Sequence, residues 1–140
     1  MEVATLLKRD SADCFSTSAC VQELVPQNFH DFMVWNRNGR DPVEHEIVIF
    51  YAPWCGRCQE MEGVFCATAH LVKFCSFGAF NCQKHCGHFQ NIRADMPFLV
   101  KTFPTVIAFR HGMPVEEFQG KRDVPELIKF AMRLRTSTDD

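Results

Sequence analysis

The chain has 140 residues, of which 46% are hydrophobic, and this suits a single domain with a well-filled core. The formal net charge of -2 gives no electrostatic reason to expect nucleic acid or an anionic membrane as a partner. No apolar run is long enough to span a bilayer, so we expect no membrane insertion by this sequence. The 8 cysteines are too few for a disulfide-held scaffold, so their number alone does not indicate a compartment.

The first part of the chain predicts an arm, a strand and a helix. Residues 1–19 are polar and mixed, and we expect a loosely ordered arm. Ala19–Leu24 is a short, moderately apolar strand candidate. Residues 26–39 predict a helix, because Asn28 is a capping residue type, apolar residues fall on one face, and Gly39 would end it.

The middle of the chain predicts a buried strand that leads into a helix. Ile47–Tyr51 is a continuous apolar, β-branched run, which is typical of a strand buried on both faces at the centre of a sheet. After Pro53 the apolar residues recur at helical spacing. The strand therefore precedes a helix that begins close to Cys55.

The remaining elements complete an α/β pattern. Phe74–Phe80 and Thr105–Phe109 predict strands, and a turn at His111–Gly112 lets Val115–Phe118 pair back antiparallel. The region between the first two of these strands is ambiguous, and we interpret it as a helix between loops. A last helix starts at Asp123, the capping residue of a capping box. We predict one α/β domain over residues 20–135, with a central mixed sheet flanked by helices, and a tail over 136–140.

Two cysteines two residues apart stand at the predicted junction between strand and helix. Cys55 and Cys58 have the C-x-x-C spacing. This spacing suits a redox pair, half of a metal site, or a local crosslink. A helix N-terminus favours the redox pair, because its unpaired N–H groups stabilise a thiolate.

The wider motif carries a family resemblance. FYAPWCGRC at 50–58, with FPT at 103–105 and FQGKR at 118–122, resembles the thioredoxin fold, specifically a catalytic domain of the protein disulfide isomerase family. The resemblance covers roughly residues 20–135. It implies a thiol–disulfide oxidoreductase or isomerase acting on cysteine-containing client proteins, without a cofactor. It also implies that Cys55 is the nucleophile, that Cys58 resolves the mixed disulfide, and that the two form a redox disulfide.

The resemblance assigns roles to further residues, and the local chemistry supports some of them. It implies a cis Phe103–Pro104 bond beside the redox pair, with Trp54, Phe103 and Pro104 forming the substrate-binding surface. Arg57 is a fixed cation between the cysteines, so we expect it to stabilise the reduced state and make the pair more oxidising. Arg122 matches an arginine that the isomerase family turns toward its resolving cysteine, and the neighbouring Lys121 is the alternative.

The chain departs from the isomerase pattern at a buried ion pair. The family carries a buried glutamate six residues before its first cysteine, facing a lysine on the next strand. Ile49 and Ala79 occupy those positions here. Because the glutamate accepts a proton from the resolving cysteine, its loss predicts slow turnover or persistent mixed disulfides. The alternative function is a catalytically weak binding module of a larger folding or quality-control protein.

The other cysteines leave two further questions. The segment between the third predicted strand and FPT contains Cys82, His85, Cys86 and His88. These residue types could bind zinc, but they all lie on one short stretch, whereas zinc sites prefer two separated pairs of ligands. We therefore favour the alternative, in which the thiols pack near a helix. In an oxidising compartment, Cys82–Cys86 or Cys14–Cys20 would suit local disulfides, whereas Cys66 and Cys75 are interpreted as inert core thiols. The resemblance implies the endoplasmic reticulum lumen and a longer chain. The cytosol is the alternative, because these residues contain no signal peptide or retention motif.

Overall fold

The computed structural model describes residue 15 and residues 19–30, 33–34, 43–87 and 100–136. In chain order the elements are β1 (Val21–Glu23), a 3-10 turn (Pro26–Asn28), β2 (Phe29–His30), β3 (Met33–Val34), β4 (His45–Tyr51), α1 (Gly56–Leu71), β5 (Ser76–Asn81), β6 (Thr105–Arg110), β7 (Met113–Glu117) and α2 (Val124–Thr136). The predicted fold class, an α/β domain with a mixed sheet flanked by helices, is confirmed.

The main sheet has five strands in the order β1-β5-β4-β6-β7. The first three strands of this order run parallel to one another, whereas β6 is antiparallel to β4 and β7 is antiparallel to β6. The prediction that Ile47–Tyr51 forms a central strand is confirmed, because β4 lies in the middle and its residues from Glu46 to Tyr51 are buried. The carboxyl end of this strand delivers the chain to the start of α1.

Two apolar layers cover the two faces of the sheet. Ile47, Ile49 and Tyr51 of β4 face the layer that contains the buried sides of both helices. The alternate β4 residues, Val48 and Phe50, belong to the second layer. This alternation is the period of two that a strand requires, and it explains why the apolar run has no polar gap.

A carboxyl group is buried at the start of β4. Glu46 is 2% exposed, and its Oε2 atom has no hydrogen-bond partner among the described residues. A Cβ atom placed on Gly78 would lie 2.5 Å from Oε2, so the carboxyl group occupies space that glycine leaves open on the neighbouring strand. Burial raises the pKa of Glu46 from its ordinary 4.5 to about 7.

The predicted helix over residues 26–39 is wrong where the structure describes the segment. The Oδ1 atom of Asn28 accepts a hydrogen bond from the backbone N–H of Val25 at 2.9 Å, which closes a single 3-10 turn. The chain then forms the antiparallel pair β2 and β3. The ring of Phe29 contacts Phe80, with centroids 5.1 Å apart, so packing on the sheet overrides the helical spacing. Residues 31–32 and 35–42 lie outside the described residues.

The predicted turn and final helix are confirmed with small changes in their bounds. His111 and Gly112 have positive φ angles of 50° and 82°, as the predicted turn requires. The backbone N–H of Glu126 donates to Asp123 Oδ1 at 3.0 Å, which confirms the helix cap. The Glu126 carboxylate accepts a hydrogen bond from Lys129 at 3.1 Å. The helix predicted between β5 and β6 falls partly on residues 88–99, which lie outside the described residues.

One residue of the predicted arm lies in the core. Phe15 is fully buried, and its ring meets Tyr51 at 4.8 Å and Phe65 at 5.7 Å between centroids. Burying a Phe side chain contributes about 2 kcal/mol to the free energy of folding. The core therefore includes a residue from before the predicted domain start, and the limits of 20–135 stay a prediction.

Both edges of the sheet are poor partners for another strand. β1 has 3 residues, and β7 carries Pro114, which has no backbone N–H to donate. The register between β6 and β7 also shifts between Ala108 and Phe109. Within the described ranges, neither helix combines the length and apolar character needed to cross a membrane.

Candidate redox site

The turn between β4 and α1 places Cys55 at the first position before the helix. Cys55 is the N-cap residue of α1, with extended backbone angles of -82° and 119°. Its N–H donates to the carbonyl of Ala52 at 3.1 Å, and its own carbonyl accepts the first helical bond, from Gln59 at 3.1 Å. The Gln59 side chain also donates to the Pro53 carbonyl at 2.7 Å, which fixes the turn. The half-buried Cys55 thiol therefore stands where the N-terminal N–H groups of the helix point outward.

Cys58 lies one turn further into α1 and on the inner side. Its side chain is completely buried and belongs to the apolar layer under the helices. Residues three apart on a helix are neighbours on its surface, so the two cysteines lie close together. One thiol is accessible and the other is enclosed.

The loop before β6 approaches the accessible thiol. The Phe103–Pro104 peptide bond is cis, as the resemblance implied. The Cys55 Sγ atom donates to the carbonyl oxygen of Phe103 at 3.6 Å. Trp54 is 63% exposed, and its ring lies edge-on to Phe103 with centroids 6.3 Å apart. The structure thus brings together Trp54, Cys55, Phe103 and Pro104.

The two predicted arginines are exposed, and among the described residues no hydrogen bond or ion pair joins either of them to this cluster. Arg57 is exposed on the first turn of α1, between the cysteines in sequence. Arg122 is exposed in the loop before α2, and among the described residues it has no hydrogen-bond or ion-pair partner. The neighbouring Lys121 lies 3.9 Å from Asp123. The arrangement leaves the roles of both arginines as predictions.

The positions of the family's buried ion pair are both apolar here and directly opposite each other. Ile49 on β4 pairs in register with Ala79 on β5. Both side chains are fully buried, in the same apolar layer as Cys58. An isolated charge at either position would be costly, so the paired loss is physically coherent.

A carboxylate that the sequence reasoning missed lies on the same face of the sheet. The Tyr51 hydroxyl donates to Glu23 Oε2 at 2.9 Å, and the Phe15 N–H reaches the same oxygen at 3.2 Å. Glu23 also pairs in register with Ala79. No sequence signal could have indicated this bond, because its partners are 28 residues apart and on strands that are not neighbours.

Replacing Tyr51 by Phe is expected to lower the free energy of unfolding by about 1–2 kcal/mol, because a hydrogen bond to a charged group is lost. Glu23→Gln tests the same bond from its other end. Denaturant unfolding of both single variants and the double variant measures the coupling between them. Fully additive losses would contradict the bond as a source of stability.

The remaining described cysteines differ in how deeply they are buried. Burial raises the pKa of the Cys75 thiol to about 12, with a smaller contribution from the charge of Glu46. Burial likewise raises the pKa of Cys82, whose Sγ atom donates to the Phe80 carbonyl at 3.7 Å. Both therefore carry protons at neutral pH, whereas Cys86 is exposed. Among the described residues no three Cys, His, Asp or Glu side chains group as metal ligands, and His88 lies outside them.

Comparison with known proteins places the chain among thioredoxin-like sequences. Protein disulfide-isomerase like 2-2 of Arabidopsis thaliana is 32% identical over 120 residues, which make up 85% of this chain and 24% of that protein. Protein disulfide-isomerase A5 of Mus musculus is 30% identical over 118 residues, which make up 82% of this chain and 21% of that protein. The chain thus spans about a quarter of the length of these curated relatives.

Solved structures share the fold at lower sequence identity. The J-Trx1 fragment of ERdj5 superposes with a TM-score of 0.72 at 23% identity, over 90% of this chain and 55% of that one. Human ERp44 form I gives a TM-score of 0.65 at 22% identity, over 83% of this chain and 29% of that one. The Thioredoxin family matches residues 21–133. With the five-stranded sheet, the motif at the start of α1 and this match together, the chain belongs to the thioredoxin family.

Proposed function

We propose that this chain is a thiol–disulfide oxidoreductase domain that acts on cysteines of client proteins. The observation that carries the proposal is the position of the Cys55 thiol. It lies at the N-cap of α1, within 3.6 Å of the Phe103 carbonyl, with Cys58 buried one turn behind it. This is the arrangement that two successive thiol–disulfide exchanges require.

In the first exchange, the Cys55 thiolate attacks one sulfur of a client disulfide. A mixed disulfide forms, and the other client sulfur leaves as a thiolate that takes up a proton. In the second exchange, the Cys58 thiolate attacks the Cys55 sulfur. The Cys55–Cys58 disulfide forms and the second client sulfur is released. Because Cys58 is enclosed, a client disulfide meets Cys55 first.

The surrounding side chains suit a client in extended conformation. Trp54 and Phe103 offer an exposed apolar rim beside the thiol, and the backbone before Pro104 is the element that the family uses to pair with a client. Arg57 contributes a cation close to the cysteines that stabilises the reduced pair. Arg122 is exposed and can turn toward Cys58, which would assist its deprotonation.

A binding module is the second candidate, and the Ile49–Ala79 pair favours it. These positions place two apolar side chains where the isomerase family has a proton acceptor and its lysine. Without that acceptor the second exchange slows, and clients stay attached to Cys55. The same geometry would then hold clients rather than release them.

The relatives bear on the longer protein and the compartment in which this domain would act, as well as on its reaction. Their names describe protein disulfide isomerases several times the length of this chain. We infer that residues 20–135 form one domain of a longer protein in the endoplasmic reticulum lumen. Its clients are proteins that form or exchange disulfides there.

The test is the reduction potential of the Cys55–Cys58 pair, measured by equilibrium with glutathione buffers and acid trapping of thiols. We expect a two-electron transition with a reduction potential higher than that of thioredoxin, which is about -270 mV, because Arg57 stabilises the reduced state. Cys55→Ser removes the transition, and Cys86→Ser, which changes an exposed cysteine outside the pair, leaves it in place.

A second variant separates the two candidates. Cys58→Ser should accumulate a mixed disulfide at Cys55 when the protein is mixed with an oxidised client, and the unchanged chain should release that client. If the unchanged chain accumulates the mixed disulfide equally, the binding module is the better function. A pair that stays fully reduced or fully oxidised in every buffer would rule out the oxidoreductase.

A further inference from the structure

A second thiol lies beside a histidine at the far end of α1. The Sγ atom of Cys20 is 3.7 Å from Nδ1 of His70. His70 is in the last turn of the helix, and Cys55 precedes its first turn. At 1.5 Å per residue the two ends are about 22 Å apart along the helix axis. The Cys20–His70 pair is therefore independent of the proposed redox pair.

A groove opens next to this pair. Its volume is about 690 Å³, and the side chains that line it include Cys20, Lys73, Cys75 and Glu23. The Glu23 carboxylate accepts hydrogen bonds from the Tyr51 hydroxyl and the Phe15 N–H. Cys20 is half-buried, so its sulfur is held by packing and still accessible. A groove of this size holds a molecule as large as a tripeptide.

The geometry points to a reactive-thiol site at which Cys20, paired with His70, exchanges with a small peptide disulfide and retains half of it in the groove. An imidazole within hydrogen-bond distance of a thiol accepts its proton and stabilises the thiolate. The Lys73 ammonium supplies a positive charge for the carboxylates of such a peptide. Glutathione disulfide has the chemistry that fits.

The exchange balances without another oxidant. The Cys20 proton passes to His70 Nδ1, and the thiolate attacks one sulfur of glutathione disulfide. A bond forms between Cys20 and that sulfur, the original sulfur–sulfur bond breaks, and the second glutathione leaves as a thiolate. This thiolate takes the proton from His70. The adduct is then retained, because Cys75, the other cysteine of the groove, has a pKa raised to about 12 and offers little thiolate to displace it.

Solvent exposure and activation by His70 predict opposite orders for the reaction rates of Cys20 and Cys86, so a comparison of the two rates tests the proposal. Cys86 is more exposed than Cys20, so accessibility alone would make Cys86 the faster thiol. We expect Cys20 of the full chain to form the glutathione adduct about tenfold faster than Cys86 at neutral pH. The measurement is acid quenching after mixing with glutathione disulfide, followed by peptide mass spectrometry with fragmentation that separates Cys20 from Cys14.

Variants of two histidines complete the test. His70→Gln should slow adduct formation at Cys20 by about tenfold and leave the rate at Cys86 unchanged. His111→Asn is the control, since it changes an exposed histidine in a turn with a positive φ that Asn tolerates. The proposal is overturned if Cys20 reacts no faster than Cys86, or if His70→Gln leaves its rate unchanged.

A change of charge tests the groove itself. Lys73→Gln should slow the reaction of Cys20 with glutathione disulfide and not its reaction with the uncharged 2-hydroxyethyl disulfide. Equal rates for both reagents in both proteins would show that the groove does not select an anionic peptide. Neither result depends on Cys55 or Cys58, so this site and the proposed oxidoreductase can fail separately.

Discussion

Glu46→Gln is expected to make the protein more stable at pH 8 than the unchanged chain, by up to about 3 kcal/mol. The carboxyl group of Glu46 is buried with one oxygen unpartnered among the described residues, and burial raises its pKa to about 7. At pH 8 the folded protein must therefore hold a buried negative charge. The glutamine side chain has the same shape and carries no charge.

The sign of the pH dependence follows from proton binding. Below pH 4.5 the carboxyl group is protonated in both the folded and the unfolded chain. Between pH 4.5 and about 7 the folded chain keeps the proton and the unfolded chain releases it, so stability falls as the pH rises. Glu46→Gln removes this loss.

Urea unfolding at pH 5 and pH 8 measures the effect as a difference between the two proteins. The stability of Glu46→Gln relative to the unchanged chain should rise by about 2 kcal/mol over this interval. Glu44→Gln, an exposed change on the same approach to β4, is the matched control for the loss of one carboxyl group. Parallel curves for Glu46→Gln and the unchanged chain would contradict a titrating buried Glu46.

The second large effect concerns the pair of apolar residues opposite each other on β4 and β5. Ile49→Glu is expected to lower the free energy of unfolding by about 3 kcal/mol or more at pH 8, because it buries an unpaired charge. Ala79→Lys should have a loss of similar size. Since the two positions are register partners, the double variant should recover about 2 kcal/mol relative to the sum of the single losses.

A neighbouring residue supplies the control for this coupling. Ile47 is equally buried on the same face of β4 but pairs with Phe77. Ile47→Glu combined with Ala79→Lys should therefore give losses close to additive. Denaturant unfolding measures all of these variants, and additive losses for Ile49→Glu with Ala79→Lys would contradict a direct pairing.

The double variant of Ile49→Glu with Ala79→Lys also tests the proposed chemistry. A carboxylate at position 49 lies in the same apolar layer as Cys58, where it can accept that thiol's proton. The mixed disulfide at Cys55 should then be released about tenfold faster than in the unchanged chain. An unchanged release rate would mean that another group already accepts the proton.

The elements nearest the redox pair could be predicted because their signals are local. The apolar run of β4 stops at Pro53, and the spacing changes at once to that of a helix, so the position of Cys55 followed from adjacent residues. Asp123 similarly caps α2 through a bond to a residue three positions away. Local chemistry decided both features, and the sequence contains it.

The features that could not be predicted depend on contacts between distant residues. Asn28 was interpreted as the cap of a long helix, and its side chain closes one turn instead, because Phe29 packs on Phe50 and Phe80 of the sheet. The Cys20–His70 contact joins residues 50 positions apart. Such contacts follow from strand order, which no local pattern specifies.

The blunted edges of the sheet bear on how this domain behaves in a crowded solution of unfolded polypeptides. An open, regular edge would recruit such chains by backbone pairing and lead to aggregation. A strand of 3 residues at one edge and a proline-bearing strand at the other offer few groups for such pairing. The edges of the sheet therefore offer an unfolded chain few groups for backbone pairing, and self-association through the sheet is suppressed.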